Sequence, residues 1–132
     1  MGATRTRVCF MSKPVGPYSA ILRAGDWVYS AGQLGLVDGA LVGGGVDGQV
    51  RQIFVNAKAL LERGGASLTD VVKCTCFLTD MANFAEMNAA YIECFGGHRP
   101  TRSTVGNVTM ALGALVEIEF TAYTGAGGVV EP

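Results

Sequence analysis

Between Val50 and Leu61 the apolar residues Val50, Ile53, Phe54, Ala57, Leu60 and Leu61 recur at i, i+3, i+4, i+7, i+10 and i+11. This spacing predicts a helix with one apolar face. Arg51, Lys58 and Glu62 take the opposite side, Asp47 stands where it can cap the start, and Gly64-Gly65 ends the run. The period then changes. From Asp70 to Thr79, Val72, Cys74, Cys76 and Leu78 share one face and Val71, Lys73, Thr75 and Phe77 the other, as in a strand. A second helical stretch, Asn83 to Phe95, places Phe84, Met87, Tyr91 and Cys94 in a buried stripe and stops at Gly96-Gly97. In the last strong strand, Leu115 to Tyr123, Val116, Ile118 and Phe120 alternate with Glu117, Glu119 and Thr121.

The remaining segments complete the order. Ser19 to Arg23 and Trp27 to Ala31 read as a hairpin about Ala24-Gly25-Asp26. Gly32 to Gly48 reads as loop, and Pro100 opens an extended stretch from Thr101 to about Val108. The order ββαβαββ predicts an α+β fold, a single mixed β-sheet with both helices packed on one face. Residues 1–132 form one domain, with 1–12 and 125–132 as loosely ordered tails.

Composition sharpens one point. Only 16% of the chain is charged, against about 25% in an ordinary domain. A domain of 132 residues has much surface for its volume and needs polar cover. The sheet face opposite the helices carries Phe77 and other large apolar side chains, so it is a candidate association surface. A formal net charge of −1 offers no electrostatic excess for nucleic acid or an anionic membrane. No run approaches the length of a membrane span, and no secretory pattern opens the chain. The four cysteines, Cys9, Cys74, Cys76 and Cys94, have no zinc-site spacing, and His98 is the only histidine. Cys74 and Cys76 read as small buried hydrophobes. A cytoplasmic protein with reduced thiols is expected.

Few polar residues are placed to do chemistry. Glu117 and Glu119, at i and i+2, form either a solvated strand face or a carboxylate lining a cleft, its protonation set by its neighbours. Arg102, just after the Pro100 turn, is either a solubilising charge or a bidentate clamp for a carboxylate. Gly16 and Gly32 permit close approach to main-chain N–H groups. Tyr18 is a packing residue or a pocket wall. Cys94 and His98 have helical spacing, but Gly96-Gly97 intervenes and no orienting group follows. Gly43-Gly44-Gly45 lacks the lysine and hydroxyl residue of a phosphate loop.

The segments Gly16-Pro17-Tyr18-Ser19, Tyr29-Ser30-Ala31-Gly32-Gln33-Leu34-Gly35, Val71-Val72-Lys73-Cys74-Thr75, Asn83-Phe84-Ala85-Glu86-Met87-Asn88, Arg99-Pro100-Thr101-Arg102-Ser103 and Val116-Glu117-Ile118-Glu119 occur in one order. In this they resemble the RidA (YjgF) family of reactive-intermediate deaminases, from about Val15 to Tyr123. The resemblance implies a chorismate-mutase-like fold and a homotrimer with a central β-barrel and clefts between subunits. It implies hydrolysis of enamines and imines, such as 2-aminoacrylate, to 2-keto acids and ammonia, with no metal or organic cofactor. By the same resemblance Arg102 binds the substrate carboxylate and Glu117 positions the attacking water. Tyr18, Gly32 and Asn88 match pocket residues. Two pocket positions depart from the family's pattern: Ala31 stands for the usual serine and Thr104 for a frequent cysteine. The segment Val108 to Gly113 also lacks the frequent Leu-Pro.

An imine deaminase of broad or altered specificity is therefore the first expectation, its partner a small imino or keto acid. The alternative is a trimer that binds keto acids or related carboxylates without turnover, which Ala31 and Thr104 motivate. A deaminase dedicated to one catabolic pathway is a narrower form of the first. The near-neutral charge and the lack of an aromatic–basic stripe argue against a ribonuclease or translation inhibitor.

Overall fold

The computed structural model describes Pro14 and residues 16–131. Cys9 and the whole of the predicted N-terminal tail, residues 1–12, lie outside those residues, as does Pro132. Strands β1 (Ile21–Ala24) and β2 (Trp27–Ser30) form the expected hairpin. Its turn is Gly25-Asp26, with Gly25 at φ +60°. Strands β3 (Leu36–Val37) and β4 (Ala40–Leu41) follow, then α1 (Gly45–Arg63), β5 (Val71–Leu78), α2 (Phe84–Phe95), β6 (Thr101–Val105) and β7 (Val116–Tyr123). The main sheet has the order β1-β2-β7-β5-β6; β5 and β6 are parallel and the other pairs antiparallel. Parallel neighbours require a crossover, and α2 supplies it. That connection sets α2 above β5 and β6.

The mixed sheet and its two helices are as expected. The core lies between them. Ile53, Phe54, Ala57 and Leu61 of α1 meet Val28, Ile118, Phe120 and Ala122 of the sheet. Phe54 packs edge-on against Tyr91, Phe95 and Phe120 at centroid distances of 5.7, 4.9 and 5.4 Å. The buried amide of Gln49 accepts the Leu115 N–H at 3.0 Å, tying α1 to the approach of β7. Cys74 and Cys76 are fully buried among these residues.

Four local expectations are corrected. The stretch Gly32 to Gly48 is not all loop: Asp38 and Gly39, both at positive φ, turn the ribbon of β3 and β4. Positive φ at both central residues matches the twist of a tight hairpin. Asp47 does not cap α1. The helix begins earlier at Gly45, with Gly44 preceding it, and the Asp47 N–H is taken by Glu86 of α2 at 3.0 Å. In β5 the alternation slips at its start, so Val71 is buried and Val72 is exposed. A register shift against β7 between Val71 and Lys73 inserts one residue and inverts the faces. On α2 the buried stripe is Met87, Ala90, Tyr91 and Phe95 rather than Phe84, Met87, Tyr91 and Cys94. Phe84 opens the helix beside the sheet's edge strand, where its ring covers Arg102 instead of entering the core.

The face of the sheet away from the helices is open in the single chain. Leu22, Trp27, Tyr29 and Val105 are exposed there, with Trp27 packed between Tyr29 and Tyr123. Among the described residues no helix is long and apolar enough to cross a membrane.

Candidate functional site

Strand β7 decides where Glu117 points. Val116, Ile118 and Phe120 turn to the helices and are buried, so Glu117 and Glu119 turn to the open face. A bridge outside the named strands then brings the Gly32 loop alongside. The Gln33 N–H donates to the Ile118 carbonyl at 2.8 Å, and the Ile118 N–H donates back to Gln33 at 3.1 Å. The Gln33 side chain also holds the Ala31 carbonyl at 3.1 Å. The Glu117 carboxylate therefore lies directly against Gly32. Any Cβ at position 32 would collide with it, so only glycine permits the approach.

Here Tyr18, Leu22, Tyr29, Ala31, Leu34 and Glu117 line a cleft of about 540 Å³, large enough for an amino-acid-sized molecule. Tyr18 is thus a cleft wall, with its own ring packed on Gly16. The walls are mostly apolar. Burial pushes the Glu117 carboxyl above its ordinary range, and the charge of Glu119 raises it further. Such a group passes a proton more readily near neutral pH than an ordinary carboxylate does.

Arg102 belongs to a second cluster. The β5–β6 register sets it beside Cys74, which itself opposes Phe120, so Arg102 is on the helix side of the sheet. The crossover helix α2 covers it there. The guanidinium carbon is 4.8 Å from the Tyr91 ring centroid and 5.5 Å from that of Phe84. Phe84, Asn88 and Tyr91 share a helix face by their spacing. Thr104, two residues beyond Arg102, pairs with Cys76 on the same side of β6.

The polar neighbours of Arg102 are neutral. Burial pushes the thiols of Cys74 and Cys76 up to about 11 and about 12, against the opposing pull of Arg102's charge. Burial raises the Tyr91 phenol as well. The Cys74 thiol lies beside the Tyr91 hydroxyl, but thiols are weak partners and Tyr91 Oη makes no hydrogen bond of ordinary length. Asn88 Oδ1 is likewise buried without a hydrogen-bond partner among the described residues. The ion pairs among those residues join Arg51 to Asp47 and Glu93, away from Arg102.

The structure thus brings Tyr18, Ala31, Gly32 and Glu117 together, and separately Asn88, Arg102 and Thr104. It does not bring the two groups together within one chain. Arg102 shares a face with Cys74 and Phe120, whereas Glu117 shares the other with its β5 partner Phe77. Sequence reasoning named Phe84 and Tyr91 only as core. The signal that could have found them is the Phe84–Asn88–Tyr91 spacing, which puts a predicted pocket residue between two aromatic rings on one helix face. Cys94 and His98 form no catalytic pair: His98 Nε2 is hydrogen-bonded at 2.6 Å to the Val71 carbonyl.

Comparison with known proteins agrees with this architecture. The model of the family described as Endoribonuclease L-PSP matches residues 10–124. A RutC family protein of Pyrococcus horikoshii is 43% identical over 113 residues, which is 84% of this chain and 90% of the relative. A 2-iminobutanoate/2-iminopropanoate deaminase of Dermatophagoides farinae is 38% identical over 109 residues, 81% of this chain and 85% of its own. Among solved structures, RidA from an Antarctic Psychrobacter superposes with a TM-score of 0.82 at 36% identity, covering 86% of this chain and 94% of that one. The family match spans every strand and both helices, and on it the chain belongs to the Endoribonuclease L-PSP family, also known as the YjgF/RidA family.

Proposed function

We propose that this protein hydrolyses reactive imines and enamines of amino-acid origin, such as 2-aminoacrylate, to 2-keto acids and ammonia. The observation that carries the reading is the Glu117 carboxylate, half-buried in an apolar cleft and seated against Gly32. The family's deaminase members add support.

The chemistry needs little beyond positioning. A 2-imino acid carries a carboxylate next to an electrophilic C=N carbon. Arg102 binds that carboxylate through paired charge-assisted hydrogen bonds, and its neutral surroundings leave the charge available. Tyr18, Gly32 and Asn88 complete the pocket around the substrate. Water attacks the imine carbon while Glu117 accepts its proton, so a C–O bond forms and the C=N π pair moves to nitrogen. The proton held by Glu117 then passes to that nitrogen. Glu117 next takes the proton of the new hydroxyl and delivers it to the amino nitrogen, so the C–N bond breaks, ammonia leaves and the carbonyl forms. Overall one imino acid and one water give one keto acid and one ammonia.

Because Arg102 and Glu117 face opposite sides of one sheet, they act together only across a site shared between subunits. The homotrimer buries the exposed Leu22, Trp27 and Tyr29 of the open face. The setting is cytoplasmic, where thiols such as those of Cys74, Cys76 and Cys94 stay reduced.

The test generates imines in situ with an amino-acid oxidase and follows their hydrolysis. Arg102→Ala should abolish the acceleration while leaving the oligomer intact. Equal rates for variant and wild type would end the assignment. Binding of a 2-keto acid without turnover by the wild type would replace it with a carboxylate-binding trimer.

A further inference from the structure

An arginine that receives an anionic substrate faces a physical problem. Left in solvent it samples many rotamers; paired with a carboxylate it is neutralised before the substrate arrives. The surroundings of Arg102 avoid both. Its guanidinium lies over two ring faces, Tyr91 at 4.8 Å and Phe84 at 5.5 Å. Both distances are within the reach at which the ring quadrupole attracts a cation. Among the described residues no carboxylate forms an ion pair with it. The rings come from α2 and the guanidinium from β6, so the contact spans the crossover that joins those strands.

The two rings are held differently. Tyr91 is 5% exposed and is itself packed edge-on against Phe54 and Phe95. It is a rigid platform. Phe84 is 37% exposed at the first turn of α2, outside the buried stripe. An apolar ring at that position is not required by the core, and its face lies against the Arg102 guanidinium.

Resting on the deaminase reading, we propose that Phe84 and Tyr91 are positioning residues, whose ring faces fix the Arg102 guanidinium as a pre-oriented, uncompensated fork for the substrate carboxylate. The rings spare it a competing anion and restrict its motion, so less freedom is lost when the carboxylate binds. The role belongs to the ring of Tyr91 and not to its hydroxyl.

Three variants separate the contributions: Phe84→Leu, Tyr91→Leu and Tyr91→Phe. Binding of 2-oxobutanoate, an unreactive carboxylate of the product class, is measured by calorimetry. Imine hydrolysis supplies kcat and KM, and ¹⁵N relaxation reports the mobility of the Arg102 Nε–H. Both leucine variants should raise Kd and KM about three- to thirtyfold, with kcat changed much less, and should increase Nε–H mobility. Tyr91→Phe should stay within about twofold of wild type, since it keeps the ring. Phe84→Leu, at a half-exposed site, tests the idea even if Tyr91→Leu does not fold.

Unchanged Kd and unchanged Nε–H mobility in Phe84→Leu would overturn the proposal. So would a loss in Tyr91→Phe as large as in Tyr91→Leu, which would assign the role to the hydroxyl. If the wild type hydrolyses no imine, the deaminase reading fails, while the keto-acid Kd and the Nε–H relaxation still decide the clamp.

Discussion

At the scale of single residues, the cleft depends on one close approach. The Glu117 carboxylate occupies the space that a side chain at position 32 would fill. Gly32→Ala should displace that carboxylate and lower kcat/KM about a hundredfold, with the far-UV circular dichroism unchanged. The ionisation of Glu117 can be tested directly. Burial and then the charge of Glu119 raise its pKa above the ordinary carboxylate range, and the reaction needs it ionised to accept a proton from water. The acid limb of kcat/KM should therefore lie above the ordinary carboxylate range, with the rate rising as pH passes through it. Glu119→Gln removes a like charge and should move that limb to lower pH. A pH–rate profile of the two proteins checks both the position and the direction.

At the scale of elements, the periodic stretches were legible from the chain and the places where they begin were not. The apolar face of α1 is the one the spacing predicts, from Val50 to Leu61. Its first turn is met from outside the local sequence: Glu86, a residue of another helix, takes the Asp47 N–H. The inverted faces at Val71 and Val72 have the same kind of cause, since a bulge is a property of two paired strands. Buried polar contacts between elements are equally invisible in a hydrophobic pattern. Gln49 lies on the buried side of α1 and holds the Leu115 N–H at the entry to β7. Gln49→Leu should leave that donor unsatisfied and cost about 1–3 kcal/mol, read as a lower urea midpoint with an unchanged slope.

At the scale of the whole molecule, the separation of Arg102 from Glu117 is the decisive fact. Two side chains on opposite faces of one sheet cannot grip one small substrate. A site shared between subunits makes a distinctive prediction. Arg102→Ala and Glu117→Ala proteins should each be inactive alone. Mixed in equal amounts under conditions that exchange subunits, they should recover about a quarter of wild-type activity, because random cyclic trimers assemble that fraction of intact sites. Activity measured against mixing ratio, with sedimentation to confirm the oligomer, checks this. No recovery after demonstrated exchange would place the whole site elsewhere.

The sequence by itself determined the layers: two amphipathic helices on one side of a mixed sheet, with a charge deficit that pointed to an uncovered apolar face. It also singled out Arg102, Glu117, Gly32 and Tyr18, because so few polar residues stand at glycine-rich turns and strand faces. These features are local, carried by periods of 3.6 and 2 and by the conformational needs of glycine. Only the tertiary structure decided that Glu117 closes on Gly32, that Phe84 leaves the core to cover Arg102, and that Arg102 and Glu117 point apart. Each of these follows from strand register and from the crossover of α2. Register pairs residues far apart in the chain, so no local pattern encodes it.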